Sequence, residues 1–256
     1  MLNQSGKYYF DNPDMWEKLR LSSIDKEIDF IHHMFSTHHK VENVLDIGCG
    51  SGIHCERLEV LGYTAYGIDL NPTMVEFAKK NHPRGRYFKG DMRKLKKIRF
   101  PVNFDGIICL CTTFCYNTTN EEVSSVLSDI NSLMVKDGIM ILEVFNPISF
   151  LEKIHFEGSF FLENQETYKK SDLKVEVAHS VDERKQTVQE IKRIYDLNNG
   201  KLLKTDHTVF RMYFPQELCF FLNQAGFEVL GQYGRYDINY LQLDRTRLIT
   251  MAKKIG

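Results

Sequence analysis

The sequence predicts an α/β fold, with a seven-stranded, mostly parallel sheet, helices on both faces and a small antiparallel insertion before the last helix. Up to residue 145, short apolar runs alternate with amphipathic helical stretches, a pattern typical of right-handed βαβ units. Between residues 150 and 214 the pattern changes to extended segments separated by turn residues. The helical pattern then returns at Pro215, which places the insertion inside the α/β core.

The same patterns divide the 256 residues into three parts. Residues 1–40 hold an aromatic segment and a helix predicted to begin at Ser23, and we expect them to act as a lid. Residues 41–149 and 215–256 supply the sheet and helices of the core, and residues 150–214 form the insertion.

Local signals place the boundaries of the elements. Asn71 can cap a helix and Pro72 suits its first position, while Thr119 and Glu122 have the spacing of a capping box. Residues 187–195 also fit a helical step, but we predict a strand because their neighbours are strands. The predicted core strands are 41–47, 63–70, 86–89, 104–110, 139–145, 227–233 and 247–252, and the predicted core helices are 53–61, 72–80, 121–134 and 215–225.

Composition argues against several classes of protein. The net charge of −1 does not suggest a large nucleic-acid surface, and no apolar run approaches the ~20 residues that span a bilayer. Of six cysteines, three crowd one apolar strand and its exit, a distribution typical of free thiols in a cytoplasmic protein. We expect no metal site, because the adjacent histidine pairs 32–33 and 38–39 point about 100° apart on a helix.

The residues 44–52, Val-Leu-Asp-Ile-Gly-Cys-Gly-Ser-Gly, are the strongest motif in the chain. A buried strand runs into three glycines and then into a helix, which predicts a nucleotide-type cofactor site in a Rossmann-like sheet. The dinucleotide spacing G-x-G-x-x-G is broken, since the glycines stand at 48, 50 and 52 and Ile53 follows. Asp69 follows Gly48 by 21 residues and ends the second strand, where a carboxylate accepts hydrogen bonds from ribose hydroxyls.

The glycine motif resembles that of class I S-adenosylmethionine-dependent methyltransferases. Gly90-Asp91-Met92, residues 104–110 and residues 133–142 resemble later motifs of that family, in the same order. The resemblance implies S-adenosylmethionine as cofactor, with Asp46 facing its ammonium, Asp69 its ribose and Asp91 its adenine amino group. The residues predicted to bind it are Tyr9, Asp46, Gly48, Cys49, Gly50, Gly52, Asp69, Leu70, Met74, Asp91, Met92, Leu110 and Thr113.

The acceptor side is predicted from the insertion and the chain after it, which resemble N-methyltransferases of amino sugars and small amines. Strand parity puts His207, Val209, Arg211 and Tyr213 on one face, which is either solvated or faces the acceptor across the cofactor cleft. The predicted substrate-binding residues are Trp16, Tyr116, Arg211 and Tyr213, and the predicted catalytic residues are Tyr116 and His207. An amine acceptor does not require a catalytic base, so the reaction also proceeds without one if the site is dry.

The predicted function is methyl transfer from S-adenosylmethionine to a small molecule by in-line displacement, with nitrogen favoured over oxygen. We expect a monomer or homodimer without a membrane or nucleic-acid partner. One alternative is an RNA or protein methyltransferase, which predicts a contiguous basic or elongated groove. Another is a non-catalytic cofactor-binding module acting through a partner, which predicts a blocked cleft.

Overall fold

The computed structural model of the protein describes residues 12–38, 40–148, 151, 162–168 and 173–255. The strands are β1 Asn43–Ile47, β2 Thr64–Asp69, β3 Arg86–Lys89, β4 Phe104–Cys109, β5 Met134–Phe145, β6 Leu162–Tyr168, β7 Leu173–Asp182, β8 Thr187–Asp196, β9 Leu202–Arg211, β10 Phe227–Tyr233 and β11 Arg247–Lys254. The helices are α1 Pro13–His38, α2 Ile53–Val60, α3 Pro72–Asn81, α4 Asn120–Leu133 and α5 Pro215–Gln224, with 3-10 helices at Met92–Lys97 and Thr113–Tyr116.

Seven of these strands form the main sheet in the order β10-β11-β5-β4-β1-β2-β3. Strands β1 to β5 run parallel, whereas β11 is antiparallel to both β5 and β10. The strand order reverses between β1 and β4, where Val44 pairs with Ala65 on one side and Gly106 on the other. The sequence-based prediction of the fold class is therefore confirmed.

Helices cover both faces of the main sheet. Val44, on one face of β1, belongs to a core cluster that also contains Ile31 of α1, Leu58 of α2 and Ala78 of α3. Leu45 points the other way, into a second cluster that α4 and α5 complete. Because successive strand residues alternate between faces, the continuous apolar strands seen in the sequence fill both clusters.

The four remaining strands form a separate antiparallel sheet in the order β6-β7-β8-β9. It packs on the carboxyl end of β5, where the rings of Phe145 and Phe210 stack with centroids 4.7 Å apart. Val188 is fully buried in the same core cluster. The insertion thus stands at the edge of the main sheet at which parallel strands end.

Most local predictions agree with the structure. The capping box at Thr119 and Glu122 forms, the Asn71 side chain caps α3, and the ambiguous residues 187–195 are strand. The predicted helix start at Ser23 is wrong, because α1 begins at Pro13. Asn12 and Pro13 repeat the cap-and-proline signal of Asn71 and Pro72, so the sequence did contain the boundary. No helix in the described ranges is both long and apolar enough to cross a membrane.

Candidate active site

The carboxyl ends of β1, β2 and β4 meet where the strand order reverses, which is where ligands bind in open α/β sheets. The loop after β1 is fixed to the end of β2, since Gly48 and Cys49 both donate backbone hydrogen bonds to the Ile68 carbonyl, at 2.8 and 3.0 Å. The loop then enters α2 at Ile53. The glycine motif and Asp69 are thereby held side by side.

The three motif glycines all adopt left-handed backbone conformations, with φ of +79°, +53° and +85° at 48, 50 and 52. A Cβ on Gly48 would lie 2.4 Å from Thr113 Cγ2, and one on Gly52 would lie 2.8 Å from Ala78 Cβ. These two positions therefore need glycine for close packing against the exit of β4 and against α3. At Gly50 the nearest atom to such a Cβ is Trp16 Nε1, at 3.3 Å.

Asp69 lies half-buried at the end of β2 and holds the neighbouring loops. Its Oδ2 accepts from Gly50 N–H at 2.9 Å and its Oδ1 from Asn71 N–H at 2.8 Å. Burial raises the pKa of this carboxyl, and the backbone hydrogen bonds oppose the rise. Each carboxylate oxygen keeps a further lone pair, so the group can still accept from a ribose diol.

Asp46 is almost fully buried behind the glycine loop, with 2% of its surface exposed. Burial raises its pKa to about 6, against the opposing charge of His54. A buried carboxylate of this kind gains from a cation placed beside it. Its predicted role toward an ammonium is therefore chemically consistent with its surroundings.

Asp91 is placed differently from its predicted role. Both of its oxygens are bound by the Arg93 guanidinium, through Nε and Nη2 at 3.0 Å each, and its Oδ1 also caps the following 3-10 helix. Burial opposes ionisation of Asp91, but the Arg93 contacts outweigh burial and lower its pKa. Recognition of an adenine amino group by Asp91 stays a prediction, and it would have to use the remaining lone pairs.

The apolar residues predicted to contact the cofactor fall into two groups. Leu70 is 53% exposed beside the cleft and Met92 is half-buried, with Asn117 Nδ2 at 3.6 Å from its sulfur. Cys49, Met74 and Leu110 are buried at 5%, 0% and 3% exposure. Leu70 and Met92 are thus accessible to a bound ligand, whereas the three buried side chains pack behind the surface of the cleft.

The exit of β4 is a strained turn. Cys111 and Thr112 have φ of +53° and +59°, and a left-handed conformation is costly for a β-branched residue such as threonine. Thr113 packs against Gly48, and Tyr116 ends the 3-10 helix that follows. Burial raises the pKa of Tyr116, with Glu190 adding to the effect. Its hydroxyl therefore stays protonated at neutral pH and is suited to positioning an acceptor rather than to accepting a proton as a phenolate.

Trp16 of α1 covers the glycine loop, since its Nε1 would lie 3.3 Å from a Cβ placed on Gly50. The neighbouring Glu17 binds His82 at the end of α3, with 2.7 Å between Oε2 and Nε2, and this contact fixes the first turns of α1. Tyr9, predicted to bind the cofactor, lies outside the described residues.

A buried cluster of charged side chains, which was not predicted from the sequence, lies beside the exit of β4. Arg20 Nη2 binds both oxygens of Glu27 at 2.6 and 2.7 Å, and His54 Nε2 lies 2.9 Å from Glu27 Oε2. Arg247 bridges Glu27 and Glu143, with its Nη1 3.5 Å from an oxygen of each. Tyr236 donates its hydroxyl to Glu143.

A signal for this charge cluster does exist in the sequence. Glu27 falls on the apolar stripe of α1 beside Ile24, Ile28 and Ile31, and Glu143 interrupts an apolar strand. Charged residues at buried positions are almost always paired, so both acids predict partners elsewhere in the chain.

The insertion presents one face of its sheet toward Tyr116. On that face Glu190 binds His179 Nε2 at 3.1 Å and Lys192 Nζ at 2.7 Å, and pairs in register with Thr208. The charge of Glu190 acts on Tyr116, so this face is the one nearest the exit of β4.

His207 does not lie across the cleft. It alternates with Thr208 on β9, so it points to the opposite face of the sheet, and it is exposed. Parity correctly grouped His207 with Val209 and Arg211. Of the two alternatives for this face, the exposure of His207 favours the solvated one, and its role as a base stays a prediction.

Two predicted substrate-binding residues are also placed elsewhere. The Tyr213 ring is fully buried against Phe114, and its hydroxyl donates to the Asn117 carbonyl at 2.5 Å, so it supports the turn from behind. Arg211 is paired with Glu217 of α5, with 2.5 Å between Nη2 and Oε1, on the face of the insertion opposite Glu190. Within the described ranges, no group of three or more His, Cys, Asp or Glu is arranged to hold a metal ion.

The sequence is similar to known methyltransferases over the residues that form this site. Residues 44–138 match the family model described as methyltransferase domain. This segment of the chain is therefore similar to a methyltransferase domain. Over 222 residues the chain is 27% identical to a glycine/sarcosine N-methyltransferase of Aphanothece halophytica, a match that covers 84% of this chain and 77% of that protein. For two other relatives, both putative methyltransferases, the match spans only about half of their length, 49% and 58%.

Solved structures share the fold of this protein. An S-adenosylmethionine-dependent methyltransferase from Clostridium acetobutylicum superposes with a TM-score of 0.79 at 14% identity, covering 96% of this chain and 99% of that one. The amino pentose methyltransferase CalS10 from Micromonospora echinaspora, solved with S-adenosylmethionine, gives 0.69 at 18% identity, covering 90% and 91%. At identities this low, the TM-scores show a common fold and nothing about the acceptor.

The residues at the switch point fit S-adenosylmethionine. Asp46 offers a buried negative charge to an ammonium, and Asp69 offers acceptors to a diol. Ser51 Oγ is buried in the glycine loop without a hydrogen-bond partner among the described residues, so it is available to a polar ligand atom. When bound, the cofactor supplies an activated methyl group on a positively charged sulfur.

Proposed function

We propose that this protein transfers a methyl group from S-adenosylmethionine to a small-molecule acceptor, with an amine nitrogen favoured over a hydroxyl oxygen. The observation that carries the proposal is the convergence of the glycine loop, Asp46, Asp69 and the strained β4 exit at one edge of the sheet. The second sheet lies over that same edge, as the Phe145–Phe210 contact requires. A donor site with a second sheet over the same edge is an arrangement suited to group transfer to a small molecule.

Nitrogen is favoured by two considerations. Similar proteins include a glycine/sarcosine N-methyltransferase and an amino pentose methyltransferase. Neither residue predicted to act as a base is ready to remove a proton, because burial raises the pKa of Tyr116 and keeps its hydroxyl protonated, and His207 lies exposed on the opposite face of the insertion. A neutral amine needs no proton removed before it attacks, whereas a hydroxyl depends on a base.

In this proposal the protein acts mainly by binding the methyl donor and the acceptor and aligning them. Asp46 and Asp69 bind the donor, Trp16 excludes water from above, and Tyr116 positions the acceptor through its neutral hydroxyl. Glu190, fixed by His179 and Lys192, faces the same space and would receive an amine acceptor. Alignment and desolvation of two reactants can supply most of the acceleration of such a displacement.

The deciding experiment is mass spectrometry of a metabolite panel incubated with the protein and methyl-labelled S-adenosylmethionine. The panel contains amines, amino acids, amino sugars and their hydroxyl analogues, and we expect label on the nitrogen of an amine. Label on oxygen alone would reverse the preference for nitrogen. No labelled product from a protein that binds the cofactor in calorimetry would favour a non-catalytic module, and no cofactor binding would overturn the assignment of the donor site.

A cytoplasmic location and a monomeric or homodimeric state stay predictions for the whole protein. The lid role of residues 1–40 and the acceptor role of residues 150–214 also stay proposals. Trp16 at the glycine loop supports the first, and Glu190 near Tyr116 supports the second.

A further inference from the structure

A cavity of about 710 Å³ lies outside the proposed methyl-transfer site, between the insertion, the start of α4 and α5. Its wall on the insertion includes Thr187, Gln189, Val209 and Arg211. In the β8–β9 register these residues share one face, since Thr187 pairs with Arg211 and Gln189 with Val209. Glu190, which faces Tyr116, lies on the opposite face. The β-sheet therefore separates this cavity from the methyl-transfer site.

Arg211 is the residue of the cavity whose side chain has an unused hydrogen-bond donor. Its side chain is only 7% exposed, and its guanidinium lies between the rings of Tyr213 and Phe221, at 5.2 and 5.4 Å from their centroids. Glu217 takes one nitrogen, Nη2, while Nε is buried without a hydrogen-bond partner among the described residues. A buried donor without a partner destabilises the fold, so a ligand oxygen supplied to Nε would recover free energy.

Basic side chains outnumber acidic ones among the residues that line the cavity. Asp182 is occupied by Lys185 at 3.2 Å, and Glu217 by Arg211. Arg184 is exposed at the rim and makes no ion pair with a described residue. Glu121, in the first turn of α4, is the remaining acid whose charge reaches Arg211. Three cations against the two lining acids, both already paired, give the cavity a net positive charge.

The start of α4 and an aromatic surface complete the lining. Thr118, Thr119 and Asn120 bring the start of the 14-residue helix α4 to the cavity, where the side chain of Glu122 already accepts from the backbone N–H groups of Thr118 and Thr119. Phe220 is 60% exposed, and its ring meets that of Phe221 edge to face with centroids 5.9 Å apart, so one ring face is open to an apolar ligand group. A ligand of this cavity would therefore combine an anionic group, to accept from the arginine and lysine side chains, with an apolar group, to contact the phenylalanine rings.

We propose that this cavity is a second ligand site, which binds a small molecule carrying a phosphate or carboxylate on a flat apolar body. The oxyanion accepts from Arg211 Nε and is held by Arg184 and Lys185, while the apolar part lies on Phe220. The proposal goes beyond methyl transfer and does not depend on it, because the site uses no residue of the cofactor loop.

The test is isothermal titration calorimetry of the full-length protein with phenyl phosphate, benzoate and phenol, each with and without saturating S-adenosylmethionine. We expect the two anions to bind at least tenfold more tightly than phenol, and S-adenosylmethionine to leave their affinity unchanged. Tighter phosphate than carboxylate binding would assign a phosphate ligand, and the reverse order a carboxylate ligand. Equal binding of anions and phenol, or displacement of the anions by S-adenosylmethionine, would overturn the site.

Variants locate the binding. Arg211→Met should weaken phenyl phosphate binding roughly ten- to hundredfold, the usual worth of a charge-assisted hydrogen bond. The matched control is Arg193→Met, which alters an arginine on the same face of β8 but outside the cavity lining, and it should bind as the wild type does. If Arg211→Met fails to fold, the exposed double variant Arg184→Gln/Lys185→Gln decides, with an expected loss of at least threefold. Unchanged binding in the folded variants would refute the proposal.

Discussion

Asp69 is the residue on which cofactor recognition should depend most directly, because it binds the glycine loop and still has free lone pairs toward the cleft. Asp69→Ala should weaken S-adenosylmethionine binding by about 1–3 kcal/mol, the usual cost of removing a buried acceptor. Calorimetry measures this change directly.

Asp105→Asn is the matched control for Asp69. Asp105 also accepts a backbone hydrogen bond, from Asn43 at 2.8 Å, but it lies at the opposite end of the sheet. This variant should bind the cofactor normally. Unchanged affinity in Asp69→Ala would show that the ribose is held by other groups.

Glu27 should control stability through its charge. Burial opposes ionisation, but the hydrogen bond and charge of His54 together with Arg20 outweigh it and hold the pKa of Glu27 at about 2. A folded-state pKa below the usual 4.5 means that ionised Glu27 stabilises the fold above that pH. The stabilisation is lost as the pH falls from about 4.5 toward 2.

Glu27→Gln tests this charge dependence. At pH 7 it should lower the free energy of unfolding by about 3–5 kcal/mol, because it leaves buried cations unpaired. At pH 3 the deficit should be roughly 2 kcal/mol smaller, since part of the wild-type stabilisation has then gone. Urea unfolding at both pH values gives the comparison, with the exposed Glu76→Gln as control. The same deficit at both pH values would mean that packing, not charge, is what Glu27 contributes.

At the scale of the element, α1 offers a direct signal of cofactor binding. Trp16 is the single tryptophan of the chain, and it lies against Gly50 of the cofactor loop. Adding S-adenosylmethionine should therefore change the tryptophan fluorescence, because the indole environment changes. The midpoint of that titration should match the calorimetric affinity and should move with it in Asp69→Ala.

Trp16→Phe removes this fluorescence signal while keeping an aromatic ring, and we expect it to weaken binding only slightly. Trp16→Ala uncovers the loop and should weaken binding several-fold more than the phenylalanine variant. If the emission of the wild type does not respond to saturating cofactor, α1 does not cover the occupied site.

The elements also show where sequence reasoning succeeds and where it stops. Alternating apolar runs and the spacing of Gly48, Asp69 and the β4 exit predicted the core, because these signals are local in the chain. Parity predicted which residues of β9 share a face, but the side of the sheet that meets the cleft depends on how Phe210 packs on Phe145. The placement of His207 and Arg211 could not be predicted for that reason.

At the scale of the whole molecule, charges far apart in sequence meet around the site. Arg20 and Glu27 of α1 join Glu143 of β5 and Arg247 of β11, so the first helix and the last strand are tied to the same cluster. The apolar stripe of α1 predicted that the helix packs on the core, but the partners of Glu27 depend on tertiary structure. Because α1 also carries Trp16, cofactor binding and the docking of α1 should stabilise one another.

This linkage predicts that the whole chain gains stability from its cofactor. Binding to the folded state alone at 100 times the dissociation constant contributes about 2.7 kcal/mol. For a chain of 256 residues that corresponds to a rise in Tm of roughly 5–10 °C, measured by calorimetric or fluorescence melting. A nicotinamide dinucleotide at the same concentration should give no rise, since the dinucleotide glycine spacing is broken, and Asp69→Ala should show a smaller rise than the wild type. A larger shift with the dinucleotide than with S-adenosylmethionine would contradict the cofactor assignment, because only a ligand of the native site stabilises the fold in this way.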